Sequence, residues 1–186
     1  MLTLDRPIET ARLTLRPFQM GDLDALFEMH RLPEVVRFLY TDTRDREETR
    51  AALEGKIQRS LTAVDAQFHL AALRRDTGDL IGDLVVFIRN SEHGMGEIGY
   101  IFHPDHQGQG FATEACVELL RLGFEEAGMH RIIARCDARN HGSLRVMERL
   151  GMRREAHFVE NEYIKGEWTD ELVYAMLKRE WLERPA

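Results

Sequence analysis

The stretch from Gly99 to Ala115, which reads GYIFHPDHQGQGFATEA, constrains the fold of this chain more than any other. Residues 98–102 are apolar enough to form a buried strand, and Pro104 ends it because proline has a fixed φ and no backbone N–H. A turn rich in Gln and Gly follows. The next residues predict an amphipathic helix, because apolar or small side chains recur at helical spacing at Ala112, Ala115, Cys116, Leu119, Leu120, Gly123 and Phe124.

The glycines of this stretch predict an anion-binding loop. The first turn of a helix has unpaired N–H groups and a partial positive charge, and glycine lets an anion approach the backbone closely. Two common phosphate loops do not fit. No Gly-Lys-Ser/Thr is present, as a Walker loop requires, and the dinucleotide pattern G-x-G-x-x-G, begun by Gly108 and Gly110, has Thr113 at its third glycine position. The alternative is a helix start that needs small residues for packing.

Alternating and apolar segments predict strands on both sides of this stretch. Residues 12–16 alternate strictly, and residues 67–73 and 80–88 form two further apolar runs joined by a turn that contains Asp and Gly. Residues 131–136 form another strand, after a glycine that ends the amphipathic helix. The connection from residues 98–102 is long enough for a β-α-β unit with parallel strands.

Polar capping residues predict where the early helices begin. Asp22 is expected to cap one helix. Asp45 and Glu48 have the spacing of a capping box for a second helix, whose apolar face would carry Leu53, Ile57 and Leu61. Residues 31–43, between these helices, are expected to form an ordered loop or a short helix.

The motif Gln107-x-x-Gly110-x-Ala112 resembles the Q/R-x-x-G-x-G/A loop of the GNAT N-acetyltransferases. In that family the loop amides hold the pyrophosphate of acetyl-coenzyme A (acetyl-CoA). The resemblance implies acetyl-CoA as the co-substrate and a backbone N–H near Phe102 that meets its carbonyl oxygen. The loop residues implied to bind it are Gln107, Gly108, Gln109, Gly110, Phe111 and Ala112.

A second motif lies about thirty residues further on. Asn140-x-x-Ser143 followed by Leu150-Gly151-Met152 resembles the Asn-x-x-Ser/Ala…Leu-Gly-Phe signature of the same superfamily. The resemblance implies that Asn140 binds the pantetheine arm of acetyl-CoA. Asn140 is also suited to cap the helix that begins there, and the two roles are compatible.

The two motifs together imply one GNAT domain over residues 1–186, of α/β (α+β) class. Its mixed central sheet has about seven strands, with four main helices. In this fold the fourth and fifth strands, here residues 98–102 and 131–136, splay apart at the loop and form the groove for acetyl-CoA. The closing hairpin at residues 163–168 is similar to that of enzymes in the RimJ/RimL branch, which acetylate α-amines of ribosomal proteins.

The same resemblance implies the catalytic residues. Many superfamily members carry a Tyr acid seven residues after the motif Asn, but here that position is Met147, which cannot donate a proton. Ser143 matches the serine of the RimJ/RimL branch and is therefore expected to act on the leaving thiolate as acid or hydrogen-bond donor. For the base, Glu162 matches that branch and is slightly favoured over Glu97, which matches other GNAT enzymes. A water relay remains open as a third alternative.

Acceptor recognition is expected in the early helical segment. In GNAT folds this segment forms one wall of the acceptor site, which implies that Phe38 and Tyr40 shape specificity, although core packing is an alternative for one of them. The implied function is acetyl-CoA-dependent transfer to a primary amine, with a protein or peptide N-terminal α-amine as first candidate. Small amines (an amino acid, a polyamine or an antibiotic) and a non-catalytic acyl-CoA-binding regulator are the alternatives.

Composition excludes several other classes. The formal charge of −7 over 186 residues disfavours nucleic acid as a partner and is compatible with a cationic amine. No apolar run reaches the length of a membrane span, and no signal peptide is recognisable. Cys116 and Cys136 are expected to be buried free thiols in a reducing cytoplasm, and the pair His103-x-x-His106 lacks a third ligand, so no metal is expected. A homodimer is left open.

Overall fold

A mixed sheet forms the centre of the computed structural model, which describes residue 4 and residues 6–57 and 67–184. Within these residues the sheet has eight strands, in the order β1-β2-β3-β4-β5-β6-β8-β7. The predicted GNAT-type sheet is confirmed; the count differs from seven because the short strand β1 also pairs with β2. The strands are β1 (Ile8–Glu9), β2 (Leu13–Arg16), β3 (Gln67–Arg74), β4 (Leu80–Asn90), β5 (Met95–Phe102), β6 (Arg131–Asp137), β7 (Arg153–Ile164) and β8 (Glu167–Leu177).

Helices cover both faces of the sheet. Four helices of eight or more residues lie in the described part of the chain, which agrees with the four main helices predicted, and α2 and α6 are shorter. The helices are α1 (Leu23–His30), α2 (Pro33–Val36), α3 (Arg46–Ile57), α4 (Phe111–Arg121), α5 (His141–Arg149) and α6 (Lys178–Leu182). A π-helical segment, Leu122–Glu126, extends α4. Leu61, predicted on the α3 face, lies outside the described residues.

Two apolar clusters hold these layers together. On one face, α4 and α5 pack on the sheet through fully buried side chains such as Leu119, Phe124 and Ile132. On the other face, α1 to α3 bury Leu26 and Leu53 against the sheet. Burial of this apolar surface is the main stabilising contribution to such a fold.

The two predicted helix starts have different outcomes. The capping box is present: the Asp45 carboxylate accepts from the N–H of Glu48 (2.8 Å), and the Glu48 carboxylate accepts from the N–H of Asp45 (2.9 Å). The prediction for Asp22 is wrong. A 3₁₀ turn precedes α1, so Asp22 already has helical dihedrals, and its carboxylate accepts two hydrogen bonds from the Arg16 guanidinium (2.6 and 2.8 Å) instead.

The parallel strands β5 and β6 pair over three residues only. Met95–Glu97 pairs with Arg131–Ile133, and beyond that point the two strands part. The predicted splay is therefore present. Close packing at the paired end supports it, because a Cβ added to Gly123, just after α4, would lie 2.5 Å from Ile132 Cδ1. The parted ends leave backbone groups of both strands facing an open groove.

The last two strands form a long hairpin. Lys165 and Gly166 both have positive φ (51° and 86°), as a two-residue hairpin turn requires. β7 continues through a bulge at Glu160 (φ 47°). β8 lies between β6 and β7 in the sheet. In the part of the chain that the structure describes, no helix has the length and apolar character needed to cross a membrane.

Candidate active site

A groove of about 240 Å³ lies beside the end of β5 that has parted from β6. Its walls come from the end of β5, the loop before α4, the first turn of α4, one side of α5, and two side chains of the early helical segment, Val35 and Leu39. The groove therefore lies where the strands part and where the two motifs found in the sequence meet. Phe102, Gln107, Gly108, Gly110, Phe111, Ala112, Asn140 and Ser143 are among the residues that line it.

The loop before α4 is fixed by its own side chains. Nε2 of Gln107 donates to the carbonyl of Phe102 (3.0 Å), and Nε2 of Gln109 donates to the carbonyl of Asp105 (3.1 Å). The guanidinium of Arg12 holds the other side of the loop, because Nη1 donates to the carbonyl of Gln109 (2.9 Å). The two glutamine side chains thus bind the loop itself, which leaves backbone N–H groups as the donors toward the groove.

Left-handed backbone at two glycines gives the loop its shape. Gly108 has φ 73°, and Gly110, the residue before α4, has φ 85°. Residues that carry a side chain rarely adopt either backbone conformation. A Cβ at Gly108 would meet no atom within 4 Å, whereas one at Gly110 would lie 3.4 Å from Nη2 of Arg12. The turn directs the start of α4 into the groove.

The start of α4 suits a phosphate group. The first N–H groups of a helix lack intrahelical partners and carry partial positive charge. Oγ1 of Thr113, on the first turn and on the groove wall, is buried and has no hydrogen-bond partner among the described residues. The nearby Glu114 carries a negative charge that Arg12 balances. Burial opposes the ionisation of Glu114, but hydrogen bonds from Thr10 and Arg12 lower its pKa overall. The residues present therefore fit the pyrophosphate of acetyl-CoA.

The start of α5 brings Asn140 and Ser143 to the groove. Oδ1 of Asn140 accepts from the N–H of Ser143 (3.1 Å), so Asn140 caps the helix, as one of its two predicted roles requires. Oγ of Ser143 lies 2.8 Å from the hydroxyl of Tyr100, on β5. Met147 is fully buried in the core, so it takes no part in the groove.

The opposite face of the sheet carries the acceptor-side residues. The hydroxyl of Tyr40 donates to the carboxylate of Glu162 (2.7 and 2.8 Å to the two oxygens), across 122 residues of sequence. Burial, and then this hydrogen bond, raise the pKa of Tyr40 above its usual range. Phe38 instead packs beneath the guanidinium of Arg37 (4.9 Å) and does not line the groove; its neighbour Leu39 does.

Glu97 is held in an ion-pair network on that face. Its carboxylate accepts from Nε of Arg89 (2.9 Å) and from Nε of Arg135 (3.2 Å). Arg135 also donates to Glu171 (3.1 Å), which is buried. Burial raises the pKa of Glu171, with Arg135 opposing and Glu162 adding to the shift. Glu97, Glu162 and Tyr40 therefore lie together, whereas Ser143 lies on the other face.

Several site residues were missed in the sequence, among them Thr113, Tyr100, Arg135 and Glu171. Tyr100 lies inside an apolar strand and resembles a core residue there. Glu171 interrupts the alternation of β8 with a charge, and a buried carboxylate in a strand calls for a partner. That signal was present, but the identity of the partner depends on which strand lies beside β8.

A family model described as an acetyltransferase (GNAT) domain matches residues 12–153. Because the match covers well over half of the chain, the chain belongs to the GNAT family, and it is an N-acetyltransferase. The matched range includes the parted strands β5 and β6, the loop before α4, and Ser143. The family resemblance found in the two sequence motifs is therefore confirmed.

Similar proteins span nearly the whole chain. An uncharacterized N-acetyltransferase, YnaD, from Bacillus subtilis (strain 168) is 35% identical over 174 residues, covering 94% of this chain and 98% of its own. The crystal structure of a GNAT-family acetyltransferase from Bacillus anthracis superposes with a TM-score of 0.82 at 32% identity, covering 93% of this chain and 99% of that one. A spermidine N(1)-acetyltransferase from Vibrio cholerae is 25% identical over 179 residues, covering 94% and 98%.

Proposed function

We propose that this enzyme transfers an acetyl group from acetyl-CoA directly to a primary amine, with a peptide N-terminal α-amine or another singly charged amine as acceptor. The observation that carries the proposal is the groove beside the parted end of β5, which reaches the glycine loop and has Ser143 on its wall. Acetyl-CoA supplies an activated acyl thioester there. The protein supplies orientation and proton transfer.

The cofactor side is formed by backbone and small polar groups. The N–H groups around Gly108 and Gly110 and the hydroxyl of Thr113 hold the pyrophosphate. The parted backbone of β5 and β6, together with Asn140, binds the pantetheine arm, whose amides satisfy groups that a continuous ladder would otherwise pair. Ser143 then lies beside the position of the sulfur and donates its proton when the thiolate leaves.

The acceptor side attracts a cation. Glu97 and Glu171 form ion pairs with Arg89 and Arg135, whereas the carboxylate of Glu162 contacts the hydroxyl of Tyr40, which leaves one negative charge when all five charged groups are ionised. One unbalanced charge suits one ammonium group. A polyamine carries several, so we favour a monoamine, and a polyamine is the second candidate because of the spermidine N(1)-acetyltransferase relative.

Glu162 is the better candidate for the base. Glu97 has each carboxylate oxygen engaged by an arginine, which stabilises the anion and occupies its lone pairs. The carboxylate of Glu162 accepts only from the hydroxyl of Tyr40 among the contacts of the described residues. An incoming ammonium can share or replace that hydrogen bond, so its proton has a direct route to Glu162 or to a water beside it.

Binding and turnover can be tested separately. Saturating acetyl-CoA should raise the melting temperature, because a ligand that prefers the folded state stabilises it, and NAD should not. Release of free thiol should then be followed with a peptide that has a free α-amine, the same peptide with a blocked N terminus, single amino acids and spermidine. A larger thermal shift with NAD than with acetyl-CoA contradicts the proposal, and binding without turnover on any amine supports the regulator alternative instead.

A further inference from the structure

Tyr100 lies at the wall of the groove and contacts the proposed acid directly. Its hydroxyl is 2.8 Å from Oγ of Ser143 and 3.1 Å from the carbonyl oxygen of the same residue. No other hydrogen bond of this hydroxyl is found within the described residues. Both contacts of the phenol are thus made to Ser143.

The two hydroxyl protons can be arranged in two ways. The phenol proton has two acceptors within reach, Oγ and the carbonyl oxygen of Ser143. Either hydroxyl can be the donor between Tyr100 and Oγ of Ser143. When the phenol donates to Oγ, the Ser143 hydroxyl accepts there and keeps its own proton for another partner. The remaining open direction is the groove, which Tyr100 and Ser143 both line.

We propose that Tyr100 is a positioning residue for acyl transfer, whose phenol donates to Oγ of Ser143 and so directs the Ser143 proton at the departing sulfur. The inference rests on the function proposed above. In the step concerned, the amine nitrogen bonds to the acyl carbon, the carbon–sulfur bond breaks with its electron pair on sulfur, and sulfur takes the Ser143 proton. The proton lost by the amine passes to a base or water, and solvent returns one to Ser143.

Tyr100 acts here as a neutral phenol. Burial raises the pKa of Tyr100 well above its usual range, and the hydrogen bond with Ser143 only partly opposes this. The thiols of Cys116 and Cys136 are neutral as well, because burial raises the pKa of Cys136 to about 12 and holds that of Cys116 well above its usual range. The phenol therefore keeps its proton and orients Ser143 without replacing it as acid.

Kinetics test this coupling through a double-mutant cycle. Tyr100→Phe keeps the ring and should lower kcat about tenfold, less than the roughly 10²–10⁴-fold effect of a general acid itself because Tyr100 only orients it, with the KM for acetyl-CoA unchanged. In a Ser143→Ala background the same change should cost nothing more, because the group it orients is absent. Tyr174→Phe, which removes the hydroxyl of another buried tyrosine on β8, is the matched control and should keep full kcat. Full kcat in Tyr100→Phe, or independent losses in the double variant, would overturn the proposal.

Binding gives a second readout that needs no turnover. A thiol such as that of cysteine ionises near pH 8.5, and a hydrogen-bond donor aimed at the sulfur prefers the thiolate. The affinity of the wild-type enzyme for CoA relative to desulfo-CoA, which lacks the sulfur, should therefore rise between pH 7 and pH 9. Ser143→Ala and Tyr100→Phe should each flatten that rise, and an unchanged rise in Tyr100→Phe contradicts the inference. A wild-type protein that binds neither ligand contradicts the proposed function itself.

Discussion

At the scale of single residues, the two candidate bases differ in what holds them. Glu97 is buried and bridged by Arg89 and Arg135, so it contributes to the fold of the acceptor side as well as to its charge. Glu162 touches the exposed Tyr40 and has room to exchange partners. The difference predicts that only one of them acts directly on the amine.

We expect Glu162→Gln to lower kcat/KM about a hundredfold at pH 6.5, at the low end of general-base effects, because most of the acceptor is then an ammonium. The loss should shrink as the pH rises and the free amine becomes abundant. A pH–rate profile with the best amine of the panel measures this. Glu97→Gln should mainly lower the free energy of unfolding, and a larger, pH-dependent rate loss in Glu97→Gln than in Glu162→Gln would instead identify Glu97 as the base.

At the scale of elements, the junction of β5, its loop and α4 depends on two left-handed glycines. Gly108 lines the groove, and Gly128, at the far end of α4 and its π-helical extension, has a similar φ (68° against 73°). A Cβ at either glycine would meet no atom within 4 Å. Substitution of Gly108 and of Gly128 should therefore lower the free energy of unfolding by about the same amount. The two positions differ in that only Gly108 lies at the groove.

Gly108→Ala should weaken CoA binding by about 10- to 100-fold, the loss expected when hydrogen bonds to a charged group are displaced. Gly128→Ala should leave CoA affinity unchanged. Both should destabilise the fold by roughly 1–2 kcal/mol because of the left-handed backbone. Calorimetric titration and denaturant unfolding of both variants check this, and equal CoA affinities would remove the loop from the binding site.

Elements that depend on short-range patterns were predictable, and contacts between them were not. The β5–loop–α4 unit and the box of Asp45 and Glu48 follow from spacing within a few residues. Asp22 could not be assigned, because the preceding 3₁₀ turn changed its backbone and Arg16 offered a better partner. The pairing of Tyr100 with Ser143 depends on how α5 packs against β5, 43 residues away in the chain, which no local pattern specifies.

At the scale of the whole molecule, a buried polar cluster joins the early helices to the sheet. Asp83 on β4 accepts from Lys56 (2.8 Å) and lies 3.3 Å from Nε2 of His30. His69 on β3 is 3.2 Å from Lys56. Burial opposes the ionisation of Asp83, but Lys56, His30 and His69 together keep its pKa well below the usual range. For His69, burial and then Lys56 outweigh Asp83 and lower the pKa.

The two shifts act in different pH ranges. A lowered carboxyl pKa stabilises the fold above about pH 3.9, the unfolded value, and that contribution is lost only in stronger acid. A lowered histidine pKa has no effect above about pH 6.5, but below it the unfolded chain takes up the proton first. The free energy of unfolding should therefore fall from pH 7.5 to pH 5.5, and denaturant titrations should show a smaller fall in His69→Gln. An equal fall in the free energy of unfolding of the wild type and of His69→Gln would show that titratable groups other than His69 cause it.

The place of β8 in the sheet has a consequence for how the enzyme is made. A strand from the end of the chain inserts between β6 and β7, which are both synthesised before it. Until residues 167–177 have emerged, β6 has no neighbour on that side and Glu171 does not yet exist, so the acceptor wall is incomplete. Because N-terminal parts of a chain emerge first and long-range strand pairing is slow, the last assembly step of the sheet waits until residues 167–177 have been synthesised. A stop codon between residues 153 and 166 would thus yield a chain that has both sequence motifs of the acetyl-CoA site but no complete acceptor wall.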